Sequence, residues 1–318
     1  MTRKYTASLR AYRDVCSDVR MFEFSAEGFP TRFQVGSHID VWCGDGSRAH
    51  VRSYSLIGSH FQKDSFLIAV RKVPNSRGGS SFMWNLETAQ SLQVSAPLSE
   101  FPLSDRCVPK LLIAGGIGIT PLVSMVEQLD ADDSDFRLLY AGRSRETMPF
   151  LNELGERLGD RLTIYDEGAG RVLDIAVTIG SLRRDAELYV CGPLGMLNAA
   201  RAAWENDGRD SADLRFETFA NSGSLPTTAF RVSVPRLKLD LDVGPDQTLL
   251  EVLEAVGADP LYGCRKGECG LCAVEVLDLD GTIDHRDIFF SDEQKRSRQK
   301  LCACVSRISG RCVTIDLP

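Results

Sequence analysis

The sequence predicts three modules in series: an antiparallel β-barrel or sandwich, an α/β domain built on a parallel sheet, and a small α+β domain. Three observations predict this order. Short segments of alternating apolar and polar residues fill the first part of the chain, apolar runs alternate with helical patterns in the middle, and a cysteine-rich loop lies between strands in the last part. With 318 residues, the chain is long enough for two or three domains.

Two breaks in the pattern divide the chain into these modules. The first break follows Leu103, and the second is the small-residue segment Asn221-Ser-Gly-Ser-Leu-Pro226, which is typical of a linker. We therefore expect the modules to occupy residues 1–103, 104–222 and 227–318.

The elements of each module follow from the period of the apolar residues. The first module has five predicted strands and one helix, at 6–13, 19–25, 38–43, 52–57 and 65–72, and at 82–86. The second has strands at 110–114, 136–141, 162–165 and 187–190, with helices at 121–129, 149–158 and 193–205. The third has strands at 230–234, 237–243 and 312–317 and a helix at 249–256.

Charge and apolar content exclude some classes of protein. Lys and Arg number 37 against 44 Asp and Glu, a net charge of −7, so the chain lacks the basic footprint of a nucleic-acid or anionic-membrane binder. No apolar run approaches the roughly 18 to 20 residues that span a bilayer, and the first residues do not resemble a secretory signal. We expect a cytoplasmic protein without a nucleic-acid or membrane partner, whose 10 cysteines stay reduced or bind metal.

A cluster of cysteines in the third module has the spacing of a plant-type [2Fe–2S] site. Cys264, Cys269 and Cys272 form a C-x4-C-x2-C run, which supplies three thiolates from one loop. Gly267 and Gly270 let the backbone curl around inorganic sulfurs. A structural zinc site is the alternative, but zinc sites usually repeat a C-x2-C pair, whereas one gap here is four residues.

The fourth ligand comes from a second segment about thirty residues later, where two cysteines compete. Cys304 lies eight residues before Cys312, about the interval at which a ferredoxin-like domain returns to its last strand, and Cys302 lies ten residues before it. We therefore predict Cys304 as the fourth ligand and keep Cys302 as the alternative.

Two glycine turns in the second module each end a predicted strand and begin a helix. Such turns let the backbone approach a pyrophosphate, whose charge the helix N-terminus attracts. Ligands of open α/β sheets bind at the carboxyl ends of strands, where both turns lie. We predict a dinucleotide site formed by Gly115, Gly116, Gly118, Thr120, Pro121, Cys191, Gly192 and Pro193. We expect Cys191 to lie near the nicotinamide, and the alternative is a thiol that only packs in the core.

Two segments of the first module have the composition of a flavin phosphate site. Arg52-Ser-Tyr-Ser55 lies in a predicted strand, and Arg77-Gly-Gly-Ser-Ser81 precedes a predicted helix. An arginine and a helix N-terminus can hold a phosphate between them, while Tyr54 offers a face or a hydroxyl to a ring system.

In this order the motifs resemble the phthalate dioxygenase reductase family, flavin reductases that serve Rieske-type oxygenases. The resemblance covers essentially the whole chain. Besides the cysteine loop, it is carried by Arg52-Ser-Tyr-Ser55, Arg77-Gly-Gly-Ser80, Gly115-Gly-Ile-Gly-Ile-Thr-Pro121, Cys191-Gly-Pro193, Phe216-Glu-Thr-Phe219, and Asp284-His-Arg-Asp287 leading to Cys304-Val-Ser-Arg307.

The resemblance implies an FMN-binding antiparallel β-barrel, a pyridine-nucleotide α/β domain and a β-grasp ferredoxin domain. It implies that the flavin phosphate binds to Arg52 and the turn of Gly78, Gly79, Ser80 and Ser81. It implies that Phe219 approaches the flavin ring, which is lined by Ser53, Tyr54, Ser55, Ala69, Val70 and Arg71. We interpret Asp284-His-Arg-Asp287 as a solvated structural turn.

Electron counting connects the three sites. A nicotinamide gives up two electrons together, whereas a [2Fe–2S] cluster accepts one at a time, and a flavin converts between the two. We therefore expect an NADH-dependent oxidoreductase that passes single electrons through FMN and a [2Fe–2S] cluster to a Rieske oxygenase. No side chain needs to act as an acid or a base, so we predict no catalytic residue.

Several alternatives remain open. The partner could instead be a haem or di-iron monooxygenase, with FAD as the flavin, or the chain could be a non-enzymatic redox sensor or zinc-binding module. Arg143 and Arg145 follow the second strand of the α/β module and could receive the 2′-phosphate of NADPH, but the resemblance points to NADH. The sequence does not specify the oligomeric state.

Overall fold

The computed structural model describes residues 3–44, 50–58, 64–74, 78–219, 225 and 227–317. The chain divides into two compact units, Met1–Glu217 and Thr218–Pro318. Within the described residues, strands form one sheet of six and two sheets of five. The first unit contains an antiparallel sheet followed by a parallel one, and the second contains a mixed sheet.

The first sheet is antiparallel and closes on itself as a barrel. Its strand order is β4-β3-β6-β1-β2-β5, and a bridge between Leu56, directly after β4, and Ile68 in the middle of β5 connects the two edge strands. Stacked rings of Phe22, Phe24 and Phe66 fill part of its core. Its elements are β1 (Lys4–Cys16), β2 (Val19–Ser25), β3 (His38–Cys43), β4 (His50–Ser55), β5 (Ser65–Arg71), α1 (Gly79–Trp84) and β6 (Ser91–Ser95).

The second sheet is parallel along β7, β8, β9 and β10, and its strand order is β11-β10-β7-β8-β9. The chain moves outward from β7 in one direction and then returns to the other side of β7, so the order reverses between β7 and β10. Its strands are β7 (Lys110–Gly115), β8 (Phe136–Gly142), β9 (Leu162–Asp166), β10 (Glu187–Gly192) and β11 (Leu214–Thr218). Its helices are α2 (Ile119–Ala131), α3 (Leu151–Leu158), α4 (Ile175–Gly180) and α5 (Leu194–Asn206).

Strand β7 is buried along its whole length because both faces of the sheet are covered. Leu112 and Ala114 pack in a core with α2, while Leu111 and Ile113 pack on the opposite face. Ala69 of the barrel joins the first of these cores, so the barrel and the parallel sheet share apolar contacts within the first unit.

The second unit has the mixed sheet of a β-grasp domain, with order β13-β12-β16-β14-β15 and a parallel pair, β12 and β16, among antiparallel neighbours. Helix α6 packs Leu249, Leu250 and Leu253 into its core. The elements are β12 (Phe230–Val234), β13 (Leu239–Val243), α6 (Leu249–Ala255), β14 (Ala273–Asp284), α7 (Asp292–Ser297), β15 (Lys300–Cys302) and β16 (Arg307–Asp316). In the part of the chain that the structure describes, no helix is long and apolar enough to cross a membrane.

The interpretation of residues 284–287 as a solvated turn is wrong. Asp284, Arg286 and Asp287 are 3%, 2% and 0% exposed. The burial is tolerated because every charge has a partner: Arg286 pairs with Asp284 at 2.7 Å, and Ser306 Oγ donates to Asp287 Oδ1 at 3.2 Å. Sequence alone could not show these partners, and a run of charged residues usually lies at the surface.

A buried carboxylate, Glu187, anchors the start of β10. It is 0% exposed and accepts hydrogen bonds from Ser104 Oγ at 2.5 Å and the Tyr189 hydroxyl at 3.0 Å. The charges of Arg215 and Lys110 lie 3.2 and 3.8 Å away. Burial acts to raise the pKa of Glu187, but these hydrogen bonds and charges outweigh it and lower the pKa below its usual value.

We expect Glu187→Gln to lower the free energy of unfolding of the first unit by about 3 kcal/mol at pH 7, because it leaves the buried Lys110 and the partly buried Arg215 without their counter-charge. The folded-state pKa is depressed, so the native carboxylate stabilises above the unfolded pKa, and this contribution disappears as the pH falls through the folded value. Urea denaturation followed by the fluorescence of Trp42, Trp84 and Trp204, all in the first unit, measures the difference at pH 7 and under acid conditions.

The matched control is Asp185→Asn, which removes an exposed carboxylate paired with Arg183 at 2.7 Å. An exposed pair contributes little, so this variant should unfold like the wild type. Equal stability of the Glu187→Gln protein and the wild type would contradict the assigned role.

Candidate redox site

The two glycine turns predicted to bind a dinucleotide meet at the carboxyl ends of β7 and β10. A Cβ added at Gly115 would lie 2.5 Å from Cδ of Pro193 and 3.1 Å from Cα of Gly192. A Cβ added at Gly118 would lie 2.2 Å from the carbonyl oxygen of Cys191. The backbones therefore come closer than any residue but glycine allows, at the point where the strand order reverses and open α/β sheets bind ligands.

The outer side of the first turn is open. Gly116 has a φ of +53°, and a Cβ added there would meet no atom within 4 Å. Behind the turn, the Tyr140 hydroxyl lies 3.1 Å from the carbonyl oxygens of both Gly116 and Pro149. Helix α2 begins directly after the turn at Ile119, which places backbone N–H groups and the positive end of its dipole beside this space. The turn fits a pyrophosphate.

The other predicted residues of this site are buried around the turn. Thr120 Oγ1 donates to the carbonyl oxygen of Ile117 at 3.1 Å, and Pro121 lies in the first turn of α2. Cys191 is 0% exposed and packs in the core that α2 covers. Its position near a nicotinamide stays a prediction.

In the barrel, Arg52 packs against the start of α1. A Cβ added at Gly79 would lie 2.7 Å from Cγ and 3.1 Å from Nε of Arg52, so glycine makes room for this side chain. The guanidinium donates to the carbonyl oxygen of Val51 at 2.7 Å. The structure thus brings Arg52 and the turn at residues 78–81 together, as a phosphate site requires. Arg77 lies outside the described residues.

Strand β4 carries the polar groups of the predicted flavin site. Ser53 Oγ donates to Asp40 Oδ1 at 2.7 Å, and Tyr54 hydrogen-bonds Cys43 in the barrel interior, where burial raises its pKa. Ser55 is 3% exposed, and its hydroxyl has no hydrogen-bond partner among the described residues. An unsatisfied buried polar group costs about 1 to 3 kcal/mol, so the Ser55 hydroxyl is a group that a bound flavin would satisfy.

Strand β5 supplies three more predicted flavin residues. Ala69 and Val70 are buried, and the carbonyl oxygen of Val70 accepts a hydrogen bond from Nε1 of Trp84 at 3.1 Å. Arg71 pairs with Asp18 at 2.7 Å. This ion pair fixes the end of β5 to the turn between β1 and β2.

The remaining predicted flavin residues lie in α1 and after β11. Ser80 is buried and accepts a hydrogen bond from the backbone N–H of Val73 at 3.2 Å, while Ser81 is exposed. Phe219 belongs to the second unit and is 37% exposed. Its approach to the flavin ring stays a prediction.

Sequence analysis did not identify His38, which is 3% exposed and lies between two carboxylates. Its Nδ1 is 3.9 Å from Glu217 and its Nε2 is 3.9 Å from Glu100. His38 is also the register partner of Ser55, so a buried polar cluster adjoins the predicted flavin site. The sequence pattern around His38 does not indicate this cluster, because the two carboxylates beside it, Glu100 and Glu217, come from distant segments of the chain.

The cysteine loop brings Cys264 and Cys269 together as a first thiol pair. The Cys264 sulfur accepts hydrogen bonds from the N–H groups of Lys266, Glu268 and Cys269 at 3.3 to 3.4 Å, and the Cys264 N–H donates to the Cys269 sulfur at 3.5 Å. This curled backbone stabilises negative charge on sulfur.

The second pair is Cys272 and Cys304, whose sulfurs are 3.2 Å apart in the core. Hydrogen bonds from Cys302 and Cys304 lower the pKa of Cys272 below its usual value. A hydrogen bond with Cys272 and burial raise the pKa of Cys304, while the Gly267 N–H opposes this rise. A [2Fe–2S] cluster takes four thiolates around two irons, so the two pairs supply the number and type of ligands that it requires. The described residues contain no preformed group of three or more ligating side chains. Cys302 hydrogen-bonds Cys272 and so remains the alternative fourth ligand.

Family models match all three parts of the chain. They describe an oxidoreductase FAD-binding domain over residues 6–102, an oxidoreductase NAD-binding domain over 112–202, and a 2Fe-2S iron-sulfur cluster binding domain over 235–309. Because these models cover most of the chain, they show that it is an NAD-binding oxidoreductase with flavin and ferredoxin domains.

Relatives match over nearly the full length. The chain is 35% identical to the vanillate O-demethylase oxidoreductase of Pseudomonas putida, in an alignment that covers 96% of this chain and 97% of that protein. It is 33% identical to the heme-dependent oxidative N-demethylase beta subunit of Ectopseudomonas mendocina (strain ymp), and the alignment again covers 96% of this chain and 97% of the relative. The solved structure of phthalate dioxygenase reductase, described as a modular structure for electron transfer from pyridine nucleotides to [2Fe-2S], matches with a TM-score of 0.81 and 28% identity over 98% of both chains.

The expected fold class is therefore confirmed, as is the expected resemblance. With flavin, NAD-binding and iron-sulfur domains in this order and a structural match to 98% of phthalate dioxygenase reductase, the chain belongs to the phthalate dioxygenase reductase family.

Proposed function

We propose that this chain is the NADH-dependent reductase component of a Rieske oxygenase, and that it uses FMN and a [2Fe–2S] cluster to deliver single electrons. The observation that carries this proposal is the pairing of four thiols, Cys264 with Cys269 and Cys272 with Cys304, in a chain that also holds a dinucleotide turn. We also propose a cytoplasmic location, because a reducing compartment keeps cysteines available as iron ligands.

Separate groups of residues bind the nucleotide and the flavin. The crossing of Gly115 and Gly192 leaves space for the pyrophosphate of NADH beside the start of α2. Arg52 supplies a cation for the flavin phosphate, and the Ser55 hydroxyl is free to hydrogen-bond the ring. When bound, the flavin supplies the conversion between two-electron and one-electron transfer. These residues only bind and orient, so the proposal needs no general acid or base.

FMN is the flavin that the resemblance to phthalate dioxygenase reductase implies, although the family model of the barrel is described as FAD-binding. The Rieske partner rests on the same resemblance. A haem partner is a second candidate, because a relative at 33% identity is a subunit of a heme-dependent oxidative N-demethylase. In both cases the partner is an oxygenase.

The purified chain is expected to release FMN on heating, to contain about two irons and two acid-labile sulfides, and to support turnover of a separately purified Rieske oxygenase with NADH. Chromatography of the released flavin, iron and sulfide assays, and product formation by the oxygenase measure these outcomes. The control is Cys269→Ser, which should keep its flavin and reduce a small-molecule acceptor while losing oxygenase turnover. Released FAD, or support for a haem oxygenase but no Rieske oxygenase, would contradict the proposal.

The fourth ligand can be assigned by a pair of matched variants. We expect Cys304→Ser to lose most of its iron and sulfide, because serine replaces a thiolate of the second pair, whereas Cys302→Ser should keep both. Iron content and the electron paramagnetic resonance spectrum of the reduced protein distinguish the two. The opposite result would assign Cys302 as the ligand.

The choice of nucleotide depends on the carboxyl end of β8. Arg143 and Arg145 are exposed there, and we propose that they are solvated rather than bound to a 2′-phosphate. We expect kcat/KM for NADH to exceed that for NADPH by at least about tenfold, or about 1.4 kcal/mol. The Arg143→Ala/Arg145→Ala protein should use NADH as the wild type does. A wild-type preference for NADPH that this variant abolishes would show that the arginines bind the phosphate.

A further inference from the structure

Asp287 is a fully buried carboxylate, 0% exposed, whose two oxygens are both occupied. Ser306 Oγ donates to Oδ1 at 3.2 Å, with Nδ1 of His285 3.3 Å from the same oxygen. The backbone N–H of Phe290 donates to Oδ2 at 3.0 Å, and Nζ of Lys295 lies 3.9 Å from it. Such a set of partners holds the carboxylate in one orientation.

The backbone around Asp287 lies against the cysteine loop. A Cβ added at Gly267, where φ is +78°, would lie 2.9 Å from Cα of Asp287 and 2.7 Å from Cγ2 of Val305. The N–H of Ile288 donates to the carbonyl oxygen of Gly267 at 3.0 Å. The loop that carries Cys264 and Cys269 is therefore clamped between this turn and the segment that follows Cys304.

The Ser306 hydroxyl connects Asp287 to the other ligand segment. Ser306 is 1% exposed and lies two residues after Cys304, and its backbone N–H donates to the carbonyl oxygen of Cys302 at 2.9 Å. The backbone of Asp287 thus lies against Gly267 of the first segment, and its carboxylate accepts a hydrogen bond from Ser306 of the second. The hydrogen bond from the Phe290 N–H to the same carboxylate fixes the turn that holds Gly267.

We propose that Asp287 is a positioning residue that holds the loop at residues 264–272 and the segment at residues 304–306 in the arrangement that the cluster requires. This inference rests on the proposed function, because it requires a bound [2Fe–2S] cluster. Ligand sets depend on such supporting hydrogen bonds, and loss of one partner typically weakens metal binding 10- to 100-fold. The carboxylate also places a negative charge beside the site, which disfavours addition of an electron.

The test uses the full-length protein loaded with its cluster and four variants: Asp287→Ala, Asp287→Asn, Ser306→Ala and, as the matched control, Asp284→Asn. Asp284 is a buried carboxylate of the same turn that pairs with Arg286 at 2.7 Å. Loss of visible absorbance in the presence of an iron chelator gives the rate of cluster release, and an anaerobic redox titration gives the midpoint potential.

We expect Asp287→Ala to release the cluster about 10- to 100-fold faster than the wild type. Ser306→Ala should also release it faster, with no change in potential, because it removes one hydrogen bond and no charge. Asp287→Asn should shift the potential in the positive direction. It should also release the cluster faster than Asp284→Asn, which likewise leaves a buried charge without its partner but keeps the contact between Asp287 and Ser306. Asp287→Asn and Ser306→Ala decide the question even if Asp287→Ala does not fold.

Two results would overturn the inference: wild-type release rates for both Asp287→Asn and Ser306→Ala, or equally fast release from Asp284→Asn and Asp287→Asn. These results differ from a failure of the proposed function, in which the wild-type protein itself would contain no iron or acid-labile sulfide.

Discussion

Close packing against a glycine, at places where a Cβ would not fit, is the constraint on which all three candidate sites depend. Gly115 and Gly118 let the first nucleotide turn cross the second, Gly79 admits the side chain of Arg52, and Gly267 admits the turn at Asp287. A methyl group at any of these positions would lie within 3 Å of another atom. The tight packing that forms the binding surfaces therefore prevents replacement of these glycines by any residue with a Cβ.

Much of the fold could be predicted from apolar period and turn residues. The strands at 19–25, 38–43 and 230–234 coincide with β2, β3 and β12, because alternation and flanking turns are both clear there. Strand β6 was missed because its five residues include only two strongly apolar ones. Strand β14 was missed for another reason: its pattern is mostly exposed and rich in aspartate, and its pairing with β16 stabilises it more than its own composition does.

The candidate site was predictable where one local segment carries the chemistry. The spacing of Cys264, Cys269 and Cys272 is local, as are the glycine turns. The structure brings Cys264 to Cys269 and the first glycine turn to the second. The supporting groups come from segments that are far apart in the sequence. Glu217 lies near the end of the first unit but is close to His38 in the structure, and Ser306 hydrogen-bonds Asp287 of an earlier turn. Their partners depend on tertiary structure, so a sequence pattern could show the charged residues at 284–287 but not their burial.

The four thiols differ in their access to water: Cys269 is exposed and Cys264 partly so, whereas Cys272 and Cys304 are buried. Charge among these sulfurs is better solvated at the Cys269 end, where the surrounding dielectric is higher. The site therefore has a solvent-accessible side at Cys269 and a buried side at Cys272 and Cys304. An acceptor protein would approach a bound cluster from the accessible side to take an electron. Dissolved oxygen would reach the iron from the same side, so rapid electron transfer to a partner and sensitivity to oxygen have the same structural cause.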